Sequence, residues 1–182
     1  MHDAKPASAS SVWYVPVAVE DVPEAGEHFD LTADSQIRSA IAKIAGLRDL
    51  PRLEASFDVS RQGGGGLRVA GWVAATVGQT CVVTLEPVAN EIAEKIDLLF
   101  VPQASVGDSG RVVTTADESE CETEPLIGGV VDLGALATEF LILGLDPYPR
   151  KPGAVFQSPE ETVAGESPFA ALTALKKSQN AD

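Results

Sequence analysis

Residues 53–85 read LEASFDVSRQGGGGLRVAGWVAATVGQTCVVTL. Leu53, Ala55, Phe57 and Val59 alternate with Glu54, Ser56 and Asp58. A period of two places one set of side chains on a buried face and the other in water, the pattern of a half-buried strand. Arg61-Gln62-Gly63-Gly64-Gly65-Gly66 is a flexible turn, because glycine reaches backbone angles closed to other residues. From Leu67 to Val77 the residues Leu67, Val69, Gly71, Val73, Ala75 and Val77 share one face of a longer strand. Gly78-Gln79 predicts a hairpin turn, Thr80 to Leu85 a further strand, and Glu86-Pro87 its end. Successive strands joined by short turns form an antiparallel meander.

Outward from this stretch, Ile92, Ile96, Leu98 and Phe100 mark another strand, from about Ile92 to Val101. Gln103 to Pro125 predicts a long acidic loop, and Leu126 to Val131 a short strand. Asp132 caps a helix from Leu133 to about Leu145, apolar nearly all round, which must be buried on several sides or meet a partner. Upstream, Trp13, Val15, Val17 and Val19 alternate in a strand over Val12–Val19, placed at a sheet edge by Pro16, which lacks an amide donor. Asp21 to Asp30 is a turn-rich loop. A helix from about Asp34 to Leu47 follows, with Ile37, Ile41 and Ile44 as its stripe. The predicted fold is α+β: an antiparallel β-meander of five to six strands, able to curl into a partial barrel, with two main helices. Residues 1–11 form a disordered leader, 12–149 the domain with its acidic loop at 103–125, and 150–182 a flexible tail with a short helical element at 168–175.

The chain of 182 residues carries 13 Lys and Arg against 27 Asp and Glu, a net charge of −14. That excludes a uniformly basic nucleic-acid binder. No apolar run reaches the roughly 18 residues of a membrane span, and the first residues lack the apolar core of a signal peptide. The expectation is a cytoplasmic protein with no membrane contact. Two cysteines, Cys81 and Cys121, can neither build a disulfide framework nor fill a four-ligand zinc site. No metal and no cofactor are expected.

No set of residues assembles a nucleophile, a base and an oxyanion donor. Gly63–Gly66 lacks the Lys-Ser/Thr of a phosphate-binding loop. Cys81 lies within a predicted strand with no histidine near it in sequence and reads as a buried structural thiol. Cys121 lies in the acidic loop, where carboxylates disfavour a thiolate. The alternating Glu118, Glu120, Glu122 and Glu124 lack the glycine of a calcium loop, and His28 has no identified partner. Catalytic residues are therefore none, and no small-molecule substrate is expected. Charge is uneven, however. Arg38, Lys43, Arg48, Arg52, Arg61 and Arg68 face only three acids within residues 36–70, whereas 86–146 holds thirteen acids against Lys95 and Arg111. The six bases are either ordinary surface charge around a helix or a face that meets phosphate.

The run from Gly71 to Val88, a strand, a turn and a cysteine-bearing stretch ending in Leu85-Glu86-Pro87, resembles the signature of the YceD family of large ribosomal RNA subunit accumulation proteins. Asp132-Leu133, Glu139 and Leu145-Asp146-Pro147-Tyr148-Pro149 resemble that family's C-terminal helix and proline-rich exit. Ser167-Pro168-Phe169-Ala170-Ala171-Leu172 is similar to the end of many alphaproteobacterial members. Many members carry Cys-x-x-Cys in the signature; here Thr84 stands at the second cysteine position. The resemblance implies a non-catalytic role in the synthesis, processing or stability of large-subunit rRNA.

Two kinds of partner fit. One is large-subunit rRNA, contacted through Arg38, Lys43, Arg48, Arg52, Arg61 and Arg68, with Trp72 offered for stacking. The other is a basic ribosomal protein held by an acidic adaptor, with Trp72, Glu139, Phe140, Phe169 and Leu172 as contact residues. An adaptor unrelated to rRNA and, last, a hydrolase are the alternatives. Phe169, Leu172 and Leu175 fall at helical spacing behind Ser167-Pro168, which predicts a recognition helix or a tail folding back on its own domain.

Overall fold

The computed structural model describes residues 11–102 and 122–156. The elements in chain order are β1 (Pro16–Ala18), a 3₁₀ turn (Val19–Asp21), β2 (Glu27–Thr32), α1 (Ser35–Ile44), β3 (Asp49–Gln62), β4 (Gly66–Thr80), β5 (Pro87–Pro102), β6 (Glu122–Leu126), β7 (Val130–Asp132) and α2 (Leu133–Leu143). A five-stranded sheet runs in the order β2-β3-β4-β5-β6, and β1 pairs with β7 in a separate two-stranded ribbon. The first four strands of the large sheet are antiparallel neighbours, while β6 pairs with β5 in parallel. The fold is thus α+β, with β2 and β6 as open edges rather than a closed barrel. Contacts divide the chain into a unit ending at Pro152 and a second beginning at Gly153. Of the second, only Gly153–Phe156 is described.

The alternation in the quoted stretch builds the core. Leu53, Ala55, Phe57 and Val59 of β3 and Leu67, Val69, Val73, Ala75 and Val77 of β4 are all buried, joined by Ile92, Ile96 and Leu98 of β5. Both helices bury a side in the same core: Ile41 and Ala42 from α1, and Leu133, Leu136, Ala137 and Leu141 from α2. Asp34 caps α1 by accepting from the amides of Gln36 and Ile37, both at 2.8 Å.

Four local expectations are corrected. Gly78-Gln79 is not a turn, and Thr80 to Leu85 is not a strand. Gly78 sits inside the ladder, paired with Asp49 on one side and Ala89 on the other. A Cβ there would lie 2.4 Å from Asp49 Oδ1, so this glycine serves close approach within a strand. The reversal comes later, at Cys81–Glu86, where the Cys81 amide donates to the Glu86 carbonyl and Leu85 adopts φ 60°. The apolar run Cys81-Val82-Val83 imitates a strand but occupies this turn.

Second, Asp21–Asp30 is not all loop. Phe29 and Leu31 alternate with His28, Asp30 and Thr32 in β2, which pairs with β3. Third, the single strand expected over Leu126–Val131 splits into β6 and β7. Gly128 and Gly129, with φ 64° and 73°, turn the chain between them. Within the expected acidic loop, Glu122–Pro125 belongs to β6, and 103–121 lies outside the described residues. Fourth, the strand expected over Val12–Val19 shortens to Pro16–Ala18; it is an edge strand as expected, but of the two-stranded ribbon with β7. The leader up to residue 10 and the helical element at 168–175 also lie outside the described residues.

Candidate functional site

Four of the six bases singled out in the sequence already have partners inside the fold. Arg38 donates to the backbone carbonyls of Leu50 and Ala33, tying α1 to the start of β3. Arg52 bridges Glu54 and Glu91 at 3.2 and 2.7 Å. Glu91 also accepts from the Thr76 hydroxyl, and that bond, with Arg52 behind it, holds its carboxyl below the ordinary carboxylate range. Arg61 donates to the Glu20 carbonyl. Arg68 forms a two-pronged pair with Asp97 at 2.8 and 2.7 Å. Lys43 and Arg48 are different: among the described residues their side chains make no hydrogen bond or ion pair. Both line an open groove of about 480 Å³ between α1 and the start of β3, together with Arg38, Ser35, Ser39 and Asp49. The fold therefore gathers three of the six bases at one groove and spreads Arg52, Arg61 and Arg68 along the sheet.

Trp72 stands on the outer face of the sheet, 46% exposed, with Ser56 and Lys95 beside it on the neighbouring strands. Ala70 and Ala74 precede and follow it on that face, so the indole rises from a low floor. Nearby, His28 lies between Asp58 (Nδ1 to Oδ1, 2.7 Å) and Asp30 (Nε2 to Oδ1, 3.2 Å), with Ser56 Oγ 3.3 Å from Nε2. Serine, histidine and aspartate thus meet. However, the bond to Asp58, followed by that to Asp30, raises the histidine pKa and favours the imidazolium. Asp58, Asp30 and Ser56 thus hold the imidazole on the exposed side of β2 and β3.

The two stretches most specific in the sequence meet in space. The turn Cys81–Glu86 is joined to the proline-rich exit by several bonds. Gln79 donates to the Asp146 carbonyl at 2.9 Å, the Val82 amide to the Pro149 carbonyl at 2.9 Å, and Lys151 pairs with Glu86 at 2.9 Å. At the centre, the buried Cys81 Sγ accepts the amides of Lys151 at 3.3 Å and Thr84 at 3.4 Å. These donors, Lys151 first, lower the thiol pKa to about 6. Thr84 thus contributes its amide to the sulfur, a role that needs no second thiol.

A folded pKa below the unfolded one adds stability that is full above the unfolded value and fades as pH falls through the folded value. Cys81→Ala is expected to lower the melting temperature by a few degrees, roughly 3–6 °C. The gap between variant and wild type should widen as pH rises from about 6 towards 9.0. Thermal unfolding of both at several pH values checks this; a gap that shrinks with rising pH would refute the thiolate assignment.

The outer side of α2 is the remaining feature. Glu139 faces a second groove of about 480 Å³, lined by Val12, Ile44, Ala135, Ile142 and Leu143 among others. Phe140, expected at a partner surface, is partly buried and packs against the core. Phe169 and Leu172 lie outside the described residues. Ile44, Ile142 and Leu143 were not singled out in the sequence as contact residues. The signal that marks Ile142 and Leu143 is the apolar run of α2, too long for one buried face, and Ile44 is marked by the stripe of α1.

The described residues thus define a mixed sheet with two helices and two surface grooves flanking α1, one basic and one apolar. No group of three or more His, Cys, Asp or Glu among them is placed to hold a metal, and no helix among them is long and apolar enough to cross a membrane. The family model described as large ribosomal RNA subunit accumulation protein YceD matches residues 69–176, more than half of the chain, and the chain belongs to that family. The matched region takes in both the Cys81 turn and α2. Neither the curated proteins nor the solved structures contain a match.

Proposed function

We propose that this chain is a non-catalytic, cytoplasmic ribosome-biogenesis factor that supports accumulation of large-subunit rRNA by holding a basic large-subunit ribosomal protein. The observation that carries this reading is the engagement of Arg38, Arg52, Arg61 and Arg68 by carbonyls and carboxylates of the fold itself. A chain of net charge −14, with four of the six bases of this stretch already engaged by the fold, attracts a cationic protein far more readily than a polyanion. Such an acidic surface shields a ribosomal protein from wrong contacts with RNA until it is delivered. Capture from a cell extract, with and without ribonuclease, tests the reading. Retention of a large-subunit ribosomal protein after RNA digestion is the expected result, and loss of every partner with the RNA would refute it.

Direct contact with rRNA is a second reading, favoured by the groove where Lys43 and Arg48 lie side by side without partners among the described residues. Lys43→Glu with Arg48→Glu is the informative variant, because Arg38 holds backbone carbonyls and its reversal would disturb α1 as well. If the groove meets phosphate, the double variant should lower the log–log salt slope of RNA binding by about 0.7 per lost contact on a single strand. An unchanged slope in filter binding across a salt series would remove this groove as an RNA surface.

A further inference from the structure

We infer that the apolar groove between the end of α1 and the outer side of α2 seats an amphipathic, lysine- or arginine-rich helix of a partner protein. The inference rests on the proposed basic protein partner and gives that partner a place and a shape. Three observations carry it.

The groove is apolar and open. Val12 is 39%, Ile44 64%, Ile142 40% and Leu143 70% exposed, and all four line it. Contiguous exposed side chains of this size mark interaction sites on folded proteins. The inner side of α2 is already satisfied by Leu133, Leu136, Ala137 and Leu141 in the core, so Ile142 and Leu143 have nothing to gain from the fold itself.

The charge at its lip selects the partner. Among the described residues Glu139 is the one charged residue lining this groove, and no base accompanies it. A carboxylate beside an apolar floor suits a cationic residue flanking leucine- or isoleucine-sized anchors. A second copy of the chain is opposed by the mutual repulsion of two bodies each carrying −14.

The walls select a helix. Among the described residues they are side chains of α1, α2 and the segment at Val12, and no strand edge of either sheet lines the groove. An extended peptide would find no ladder to join. A helix presents anchors at i, i+3, i+4 and i+7 without needing backbone partners.

The probe is a labelled model helix with leucines at those positions and lysines elsewhere, set against a twin carrying glutamates. The full-length chain is expected to bind the lysine helix at least about tenfold tighter than the twin. Ile44→Ser with Leu143→Ser, both exposed and charge-neutral, should weaken that binding about tenfold or more with an unchanged melting temperature. Binding equal to wild type in this variant would show mere attraction between opposite charges and overturn the inference. So would two other results. One is tighter binding after Phe169→Ser with Leu172→Ser, which would make the chain's own C-terminal segment the occupant. The other is a wild-type dimer in sedimentation that the groove substitutions dissolve. Ribonuclease-resistant capture is read alongside. A ribosomal protein retained equally by wild type and the groove variant overturns the groove but spares the proposed function. The expected helix binding with no ribosomal protein captured does the reverse.

Discussion

Gly71→Ala is expected to leave little or no cooperatively folded protein at 37 °C, or to lower the melting temperature by more than about 15 °C. The added Cβ would lie 2.0 Å from the Ser56 carbonyl oxygen, 2.9 Å from Phe57 Cα and 3.0 Å from the Phe57 ring. Two of these neighbours are backbone atoms of β3, so no rotamer change relieves the contact. Gly71 pairs with Phe57 on one side and Ile96 on the other, and both are buried. The glycine therefore provides the room that Phe57, the largest fully buried side chain among the described residues, occupies. Opening the β3–β4 ladder is the one escape, and that ladder carries the core. Ala74→Val, on the outer face of the same strand, adds more volume yet should shift stability by no more than about 0.5 kcal/mol, as surface changes do. Thermal melts of the two variants beside wild type decide the matter. A mild Gly71→Ala paired with a severe Ala74→Val would invert the assignment of the sheet faces.

That contrast also shows what a single sequence reveals of this fold. The period of two in Leu53–Val59 and Leu67–Val77 comes from burial on one side, and burial is encoded in residue type, so the faces are legible. Where β4 reverses is not. Gly78 has the composition of a turn but answers to the side chain of Asp49, a residue 29 positions earlier. Val82-Val83 has the composition of a strand but sits in a turn whose shape depends on Cys81 accepting the Lys151 amide from 70 residues away. Propensity is local, whereas both determinants are tertiary.

The site divides in the same way. Arg38, Lys43 and Arg48 are close in sequence, and α1 with its exit brings them to one groove. Arg52 and Arg68 are drawn off by Glu91 and Asp97, which lie 39 and 29 residues away and face them only because β4 pairs with β3 on one side and β5 on the other. The basic stretch read as one surface is thus several, and cross-strand neighbours set where Arg52 and Arg68 are held. Ile44 continues the apolar stripe of its helix yet is left outside the core. The stripe marks it as apolar, and only the placement of α2 decides that it is exposed.

That placement depends on one carboxylate, and Asp132→Ala is expected to cost about 2–4 kcal/mol. Asp132 Oδ1 accepts three amides: Val15 at 2.8 Å, and Gly134 and Ala135 at 3.1 Å each. Losing the cap on α2 costs about 1–2 kcal/mol, and leaving the part-buried Val15 amide without an acceptor about 1–2 more. For a chain of this length the melting temperature should fall by roughly 5–12 °C. Asp132→Asn keeps one acceptor oxygen and should lose about half as much, which separates the hydrogen bonds from the volume of the side chain. The effect should not stop at stability. Asp132 joins β1, β7 and α2 at one point, since Leu133 also donates to the Val15 carbonyl at 2.9 Å. Val12 on one wall of the apolar groove and Glu139, Ile142 and Leu143 on another are thereby held in register through the same atom. Asp132→Ala should therefore weaken model-helix binding even well below its melting temperature, whereas the stability loss of Cys81→Ala, at the far end of the exit from α2, should leave that binding intact. Equal loss of binding in both variants would mean that the groove responds to overall stability and not to the position of α2.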